Sequence, residues 1–480
     1  MTGPDSKRPK GEVSARNARL AASDDMAPVE GSVEIDVPAA VIGEAFFQAN
    51  LWPRWNACMA WVHNRELRRG DQLNWVFEPI RPWFLYRFPA TAKIIEVEEG
   101  RKVTWEVTAL PGFYAQHTYT ITDLGHGKSR FSSWEQATGP TFRATRVFWT
   151  AHFEFVKNRS LQGARLLEAA YRLHGQLGEA QLPKRRGPVG SLADLLGALE
   201  PLRLQPIALS DDLWAVLGGG GNSLVLKTDD QAVVIDPKMP PFATLFRWWV
   251  KRTVGAPVTT VIDTHHHVDH TFGNPQFPEA TIVAHAHVPQ LMRRRDGPFW
   301  RSHPDSVPTG PDLVDNDRTL EIGPTSIDIR PVPQAHTTGD VWIHITKNSR
   351  DYVVTGDIGC HGHYPFFDAG DGGADLAGWA RAARQIADAY PNATVVPGHG
   401  PVGTADDLRH LAVYIEFLER SVRGSAAEGL DQAATVRNVD LSSWRLGALP
   451  VFHYGENLLT ARTNVRRAFD LCTRNRASEG

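Results

Sequence analysis

The 480-residue sequence is poor in cysteine, in long apolar runs and in net charge, and each shortage excludes something. Its three cysteines, Cys58, Cys360 and Cys472, lie too far apart for a disulfide framework or a CxxC pair, which fits a reducing compartment. No apolar run approaches the roughly 18 residues of a membrane-spanning helix, and the stretch MTGPDSKRPKGEVSARNARLAASDDMAPVEG has no signal-peptide core. The expected location is therefore the cytoplasm. With 51 Lys and Arg against 54 Asp and Glu the net charge is -3, so no global field favours nucleic acid or a membrane surface, and both are set aside as partners. Small molecules are the expected partners. No fixed-period repeat is evident.

What is present suits two or three soluble domains: 42% of residues are hydrophobic and 22% charged, over a length too great for one ordinary core. Residues 1–30 hold five basic and five acidic side chains with little to pack, and read as a disordered tail. From Gly31 the pattern changes. Val33, Ile35 and Val37 alternate with Ser32, Glu34 and Asp36, a half-buried strand, and PAAVIGEAFFQAN reads as a short helix. KVTWEV, HTYTIT and SRFSSWEQ predict an antiparallel meander. A helix follows from Arg146 to Leu173, with Val147, Ala151, Phe155, Leu166 and Ala170 mostly on one face.

This layout, with VPAAVIGEAFFQANLWPRW near its start, resembles the SRPBCC superfamily of START-like and polyketide-cyclase-like proteins over residues 31–175. The resemblance implies a helix-grip fold, a sheet around a long C-terminal helix, and an apolar ligand cavity. Eight of the fifteen tryptophans (52, 55, 61, 75, 83, 105, 134, 149) fall here and read first as ordinary core. Residues 176–205 read as a linker with one short helix at SLADLLGALE.

Beyond Pro206, short apolar runs such as QAVVID, TTVID, DYVVTGD and ATVVPGHG alternate with helical stretches such as ADLAGWARAARQIADAY, a second domain of mixed type. Several runs end in residues that ligate metals. Asp236 ends QAVVID; His265, His267, Asp269 and His270 fill VIDTHHHVDHTFGN; His336 follows PVPQA; Asp357 ends DYVVTGD; His399 sits in PGHG. Strand ends hold such side chains in fixed geometry, and imidazole with carboxylate suits zinc, with iron or manganese as further options. His265 and His267, two apart, can bite one ion while Asp269 and His270 point at a second. With Asp357 shared, two divalent ions would lie roughly 3.5 to 4 Å apart.

These residues resemble the metallo-β-lactamase superfamily over residues 206–425. The HxHxDH motif stands at His265–His270, and the later residues follow at separations of 69 (336 minus 267), 21 (357 minus 336) and 42 (399 minus 357). The resemblance implies an αβ/βα sandwich, first-site ligands His265, His267 and His336, second-site ligands Asp269, His270 and His399, and a bridging Asp357. It also implies that Asp236 supports the histidine loop from behind. His266, at a variable position, is expected to face solvent, and Asp263 to end the strand that aims the loop. Residues 426–480 read as a C-terminal extension.

The fold expected is thus α+β in two domains, and the chemistry metal-assisted hydrolysis. Two ions would make a bridging hydroxide near neutral pH, oriented by Asp269, for attack on an ester, thioester, lactone or amide-type bond. The substrate expected is a hydrophobic small molecule or acyl compound. Of Cys360, His361, His363 and Tyr364, all near Asp357, Tyr364 is the chosen donor to substrate. The stretch Arg293 to Ser306, basic and aromatic, reads as a lid, as a contact for an acidic substrate group, or as an exposed insertion. Two other classes stay open: an iron-dependent oxidoreductase resembling persulfide dioxygenases, and a ligand carrier or cyclase working through the N-terminal domain.

Overall fold

The computed structural model describes residues 26–56, 58–77, 88–107, 111–182, 204–370, 372–450 and 458–477. Contacts divide the chain into two compact units, Met1–Arg185 with Asn438–Ser443, and Arg186–Arg437 with Trp444–Gly480. The helix expected at 191–200 and residues 1–25 of the expected tail lie outside the described residues. No helix among the described residues is long and apolar enough to cross a membrane.

Unit one is built on a seven-stranded antiparallel sheet. Its strands run in the order Val29–Ile35, Lys128–Thr138, Tyr114–Gly125, Lys102–Val107, Phe88–Glu98, Gln72–Phe77, Met59–Val62. The first strand begins inside the stretch expected to be tail: Val29 pairs with Glu135 and Glu30 with Trp134. The reason is apolar. Val29 and Met26 are buried with Phe113, Phe142 and Phe153, contacts that the charged composition of the preceding residues concealed.

The helix Arg146–His174 packs on the first strand and on Lys128–Thr138, and stops at Gly175, whose φ of 68° suits a left-handed cap. Its buried face matches the expected one only in the C-terminal half. Leu166 and Ala170 are buried as expected, but Val147 is 87% exposed, and Phe153, Val156, Ser160, Ala164 and Leu167 are buried at helical spacing, out of register with Val147 and Ala151. A Cβ on Gly163 would meet the Trp55 carbonyl oxygen at 2.6 Å, so the helix rests directly on the segment that holds the tryptophans. Trp52, Trp55, Trp75 and Trp105 are core. Phe46–Trp52, Trp52–Trp105 and Trp105–Tyr119 centroids lie 5.3, 5.8 and 5.3 Å apart, and the Tyr119 and Ser160 hydroxyls hydrogen-bond at 2.6 Å.

Unit two holds two larger sheets. One runs Leu313–Val314, Thr281–His285, Val258–Asp263, Ala232–Ile235, Ser223–Lys227, Leu213–Leu217, Gln205–Ser210; its first four strands are parallel, as the continuous VVI and VID runs require, and the others antiparallel. The other runs Arg318–Ile322, Thr325–Val332, Asp340–Lys347, Arg350–Val354, Thr394–Val396, Gly403–Thr404. Leu224, Val233, Ile262 and Val283 of the first sheet share one buried cluster with Ile327, Ile343, Tyr352 and Val396 of the second. Each such side chain contributes roughly 1.5–3 kcal/mol by burial.

The helix Phe242–Thr253 covers the outer face of the first sheet through Phe246 and Val250. On the second sheet's side, Leu376–Ala389 starts at Asp375, whose carboxylate accepts the Gly378 N–H, and lies against Ala405–Ala427. In the expected C-terminal extension, helix Ala461–Ala477 packs on Ala405–Ala427, Tyr414 donates to Asn464 at 2.6 Å, and Asn464 donates to the Pro365 carbonyl at 2.7 Å.

Candidate metal centre

The centre forms where strands of both sheets end. After Ile235 the chain turns through Asp236, at φ 57°, a left-handed value that costs a non-glycine residue strain and aims its carboxylate at the next strand's end. There Asp236 accepts from the Thr264 N–H (2.8 Å), the Thr264 hydroxyl (2.7 Å) and His270 Nδ1 (2.8 Å). One carboxylate thus fixes both ends of the histidine loop. Because a carboxylate only accepts, the His270 proton it faces is on Nδ1, and Nε2 points at the centre.

The structure brings all seven ligand candidates together. One donor atom each from His265, His267, His336 and Asp357 lie within 4.8 Å of one another, and so do those of Asp269, His270 and His399. Asp357 stands between the groups. Its Oδ2 is 3.8 Å from His265 Nε2 and 3.5 Å from His336 Nε2, while its Oδ1 is 3.2 Å from His270 Nε2 and 3.4 Å from His399 Nε2. Asp269 Oδ2 lies 3.2 Å from His399 Nε2 and 3.8 Å from His270 Nε2.

The two groups differ electrostatically. Burial pushes His265 well below the ordinary histidine range and His336 down to about 3, so both are neutral and offer lone pairs. Burial also opposes charge on His270 and His399, but Asp357 with Asp236 and Asp269 holds His270 well up, and Asp357 with Asp269 raises His399 to about 9. Asp357 and Asp269 stay ionised against burial because those imidazoles face them.

Divalent ions fit this set. His265 Nε2, His270 Nε2 and Asp357 Oδ1 are buried without a hydrogen-bond partner and converge, and neutral imidazoles with carboxylates are the donors such ions take. Glycines keep the surroundings tight. A Cβ on Gly221 would run into the His270 ring, one on Gly398 into Asp357 Oδ1, and one on Gly220 would meet Asp269 Cβ at 2.9 Å. Lys238 pins this glycine run from below, donating to the carbonyls of Val216 (2.6 Å) and Gly221 (2.7 Å), with burial lowering its ammonium to about 7.

His266 is a correction. Instead of facing solvent it is fully buried, and burial holds it well below the ordinary range. It groups with His267 and Asp368, whose ligand atoms lie within 4.8 Å. Sequence reading missed Asp368. It accepts from His267 Nε2 (3.1 Å), Arg295 (2.8 Å), Gly370 N–H (2.9 Å) and Gly372 N–H (3.1 Å), and this fixes the His267 proton on Nε2 and leaves Nδ1 toward His336 Nε2, 3.0 Å away. With Arg295 already paired to it, Asp368 supports His267 rather than making a third cation site. The only sequence signal was its nearness to Asp357 in GHYPFFDAG, a stretch with no motif.

The remaining candidates fall around the centre. The stretch Arg293 to Ser306 is mixed: Arg293, Arg294, Pro298, Arg301 and Ser302 are exposed, while Asp296 and Trp300 are buried and Arg295 reaches Asp368. Asp263 is buried, accepts from Asn274 Nδ2 at 2.8 Å, and is pushed well above the carboxylate range by burial. Cys360 is buried beside His399, burial raising its thiol, and His361 pairs with Asp407 at 3.1 Å. Tyr364 is buried; its N–H donates to the Gly447 carbonyl, and its hydroxyl is near enough to Tyr414 to act on it.

Residues 216–399 match the family described as the metallo-beta-lactamase superfamily, so this region carries a domain of that superfamily. Among solved structures, the chain is similar to a metallo-beta-lactamase from Pontibacter korlensis (22% identity, 45% of this chain and 99% of that one, TM-score 0.38). It is similar too to a metallo beta lactamase from Hirschia baltica (18%, 44% and 97%, TM-score 0.36). A third is the stereoselective inverting sec-alkylsulfatase Pisa1 from Pseudomonas sp. (12%, 63% and 54%, TM-score 0.45).

Proposed function

We propose that unit two is a dinuclear metal hydrolase that cuts an ester, thioester, lactone or amide-type bond in a hydrophobic small molecule. One observation carries the reading: the two oxygens of Asp357 face different ligand groups, Oδ2 toward His265 and His336, Oδ1 toward His270 and His399. His265, His267, His336 and Asp357 would hold one ion; Asp269, His270, His399 and Asp357 the other. Bound divalent ions, zinc in our reading, supply Lewis acidity and a water acidic enough to act as nucleophile near neutral pH.

The chain's own groups do the rest. Asp269 is the most exposed member, its side chain 20% accessible against 6% for Asp357 and 10% for His399, so substrate reaches the centre on its side. A carboxylate kept ionised there can take the proton of the attacking water at Oδ2. Tyr364 is assigned as hydroxyl donor to the substrate. Unit one we read as a START-like, helix-grip domain that binds the apolar part of the substrate, and we place the protein in the cytoplasm, where buried thiols such as Cys58, Cys360 and Cys472 stay reduced.

The test is metal analysis of the purified protein followed by a hydrolysis screen over acyl thioesters, aryl esters and lactones, with Asp269→Asn as control. Two equivalents of zinc and turnover that the variant loses are expected. Iron with oxygen consumption and no hydrolysis would replace this reading with the oxidoreductase one.

A further inference from the structure

The helix Phe242–Thr253, FATLFRWWVKRT, has a face that packing leaves unused. Its inner side is fixed by Ala243, Phe246 and Val250, all buried. Its outer side exposes Leu245 (55%) and Trp248 (60%), two large apolar side chains three apart and so on one surface. Arg247, Lys251 and Arg252 are exposed around them, and among the described residues none of the three has an ion-pair partner. The helix contains no acidic residue, although acids outnumber bases over the whole chain. The net charge of -3 therefore coexists with a local cationic patch on this helix.

We propose that this face docks on an anionic lipid surface. Arg252 lies over the Trp248 ring, 5.3 Å from its centroid, which puts a cation and an indole at one depth, as at the headgroup boundary where Trp settles. Leu245 and Trp248 enter the boundary while Arg247, Lys251 and Arg252 meet the acidic headgroups of the cytoplasmic leaflet. Charge chooses the occupant. A second copy related by a twofold axis would set three cations against three cations. Three cations flanking two apolar side chains are too few for a nucleic-acid patch.

The start of the helix also lies near the centre. Phe242, its first residue, packs on Gly219, and the next glycine, Gly220, packs on Asp269. A docked helix would hold the accessible side of the centre near the source of a lipophilic substrate. That consequence rests on the hydrolase reading; the docking does not.

The experiment is vesicle flotation of the full chain, metal-free and metal-loaded, with phosphatidylcholine vesicles with and without phosphatidylserine. Binding to the anionic vesicles alone is expected, weakened by salt. The triple variant R247Q/K251Q/R252Q should lower partitioning on the order of 100-fold, about fivefold per charge. L245A/W248A should lower it about tenfold or more with an unchanged melting curve, since both side chains are exposed. Absence of binding, or variants that bind as the parent does, would overturn the proposal. So would soluble polyglutamate competing as well as the vesicles, which indicates an acidic protein partner, or a dimer in sedimentation that L245A/W248A dissolves. Because no step reads turnover, failure of the hydrolase reading leaves this result intact.

Discussion

The two ligand groups at the centre meet in one carboxylate yet are built on opposite electrical principles. Around His265 and His336 burial dominates, and these two imidazoles are kept neutral. Around His270 and His399 three carboxylates prevail over burial and the imidazoles carry protons in the metal-free protein. The first pocket is ready for a cation at once, whereas the second must release protons to accept one. The difference teaches that a pair of sites sharing Asp357 need not fill together.

The largest effect should come from the residue common to both. Asp357→Ala removes the only ligand that faces each group and leaves His270 and His399 without their main counter-charge. Both ions should be lost on dialysis, read by metal analysis, and hydrolysis should fall by more than the 10–100-fold typical of losing an outer partner. Retention of one tight equivalent would show that the three histidines suffice alone, and sharpen the contrast.

The next test uses pH on the metal-free protein. His399 titrates in the fold at about 9, above the 6.5 of free imidazole, so its contribution is complete below pH 6.5 and is lost as pH rises through about 9. Lys238, lowered to about 7, works in the opposite sense over that window, so the useful quantity is a difference. Metal-free wild type should exceed His399→Ala by up to about 3 kcal/mol more at pH 6 than at pH 9 by denaturant titration. A constant gap would mean that the second pocket is neutral like the first.

The outer carboxylates should separate the pockets. Asp368→Ala frees His267 and should weaken the three-histidine pocket 10–100-fold, while Asp236→Ala frees His270 and should weaken the other by a similar factor. Competition titration with a chelating dye, resolving two affinities, reads each. If either variant lowers both affinities equally, the pockets are one mechanical unit and the comparison fails.

Legibility followed the same division between local and distant causes. Asp236, the HxHxDH loop, His336, Asp357 and His399 each end or follow an apolar run, so period and spacing exposed them, and the structure brings them together. Asp368 could not be read because its role is set by His267, a partner 101 positions away, and by two glycine amides of its own loop. His266 was misjudged for a related reason: a variable motif position carries no information about what packs over it. The glycines of LGGGGN were visible as letters, but their need to clear Asp269 and His270 is tertiary. In unit one the strand alternation and the long helix were readable locally. Which stripe of that helix is buried depended on where it crosses Trp55.

The smallest effect expected is at Tyr364, which belongs to neither pocket. Its backbone N–H holds the Gly447 carbonyl and its hydroxyl neighbours Tyr414, so Tyr364→Phe keeps the backbone contact and most of the packing. A donor to substrate contributes one neutral hydrogen bond, so its loss should lower kcat/KM by about tenfold or less. Metal content and both affinities should stay as in the parent. A shift in melting temperature with unchanged kinetics would instead assign the hydroxyl to Tyr414 alone. Substrate would then be oriented by groups of the two pockets themselves, and the side on which Asp269 is exposed would gain weight as the place where they do it.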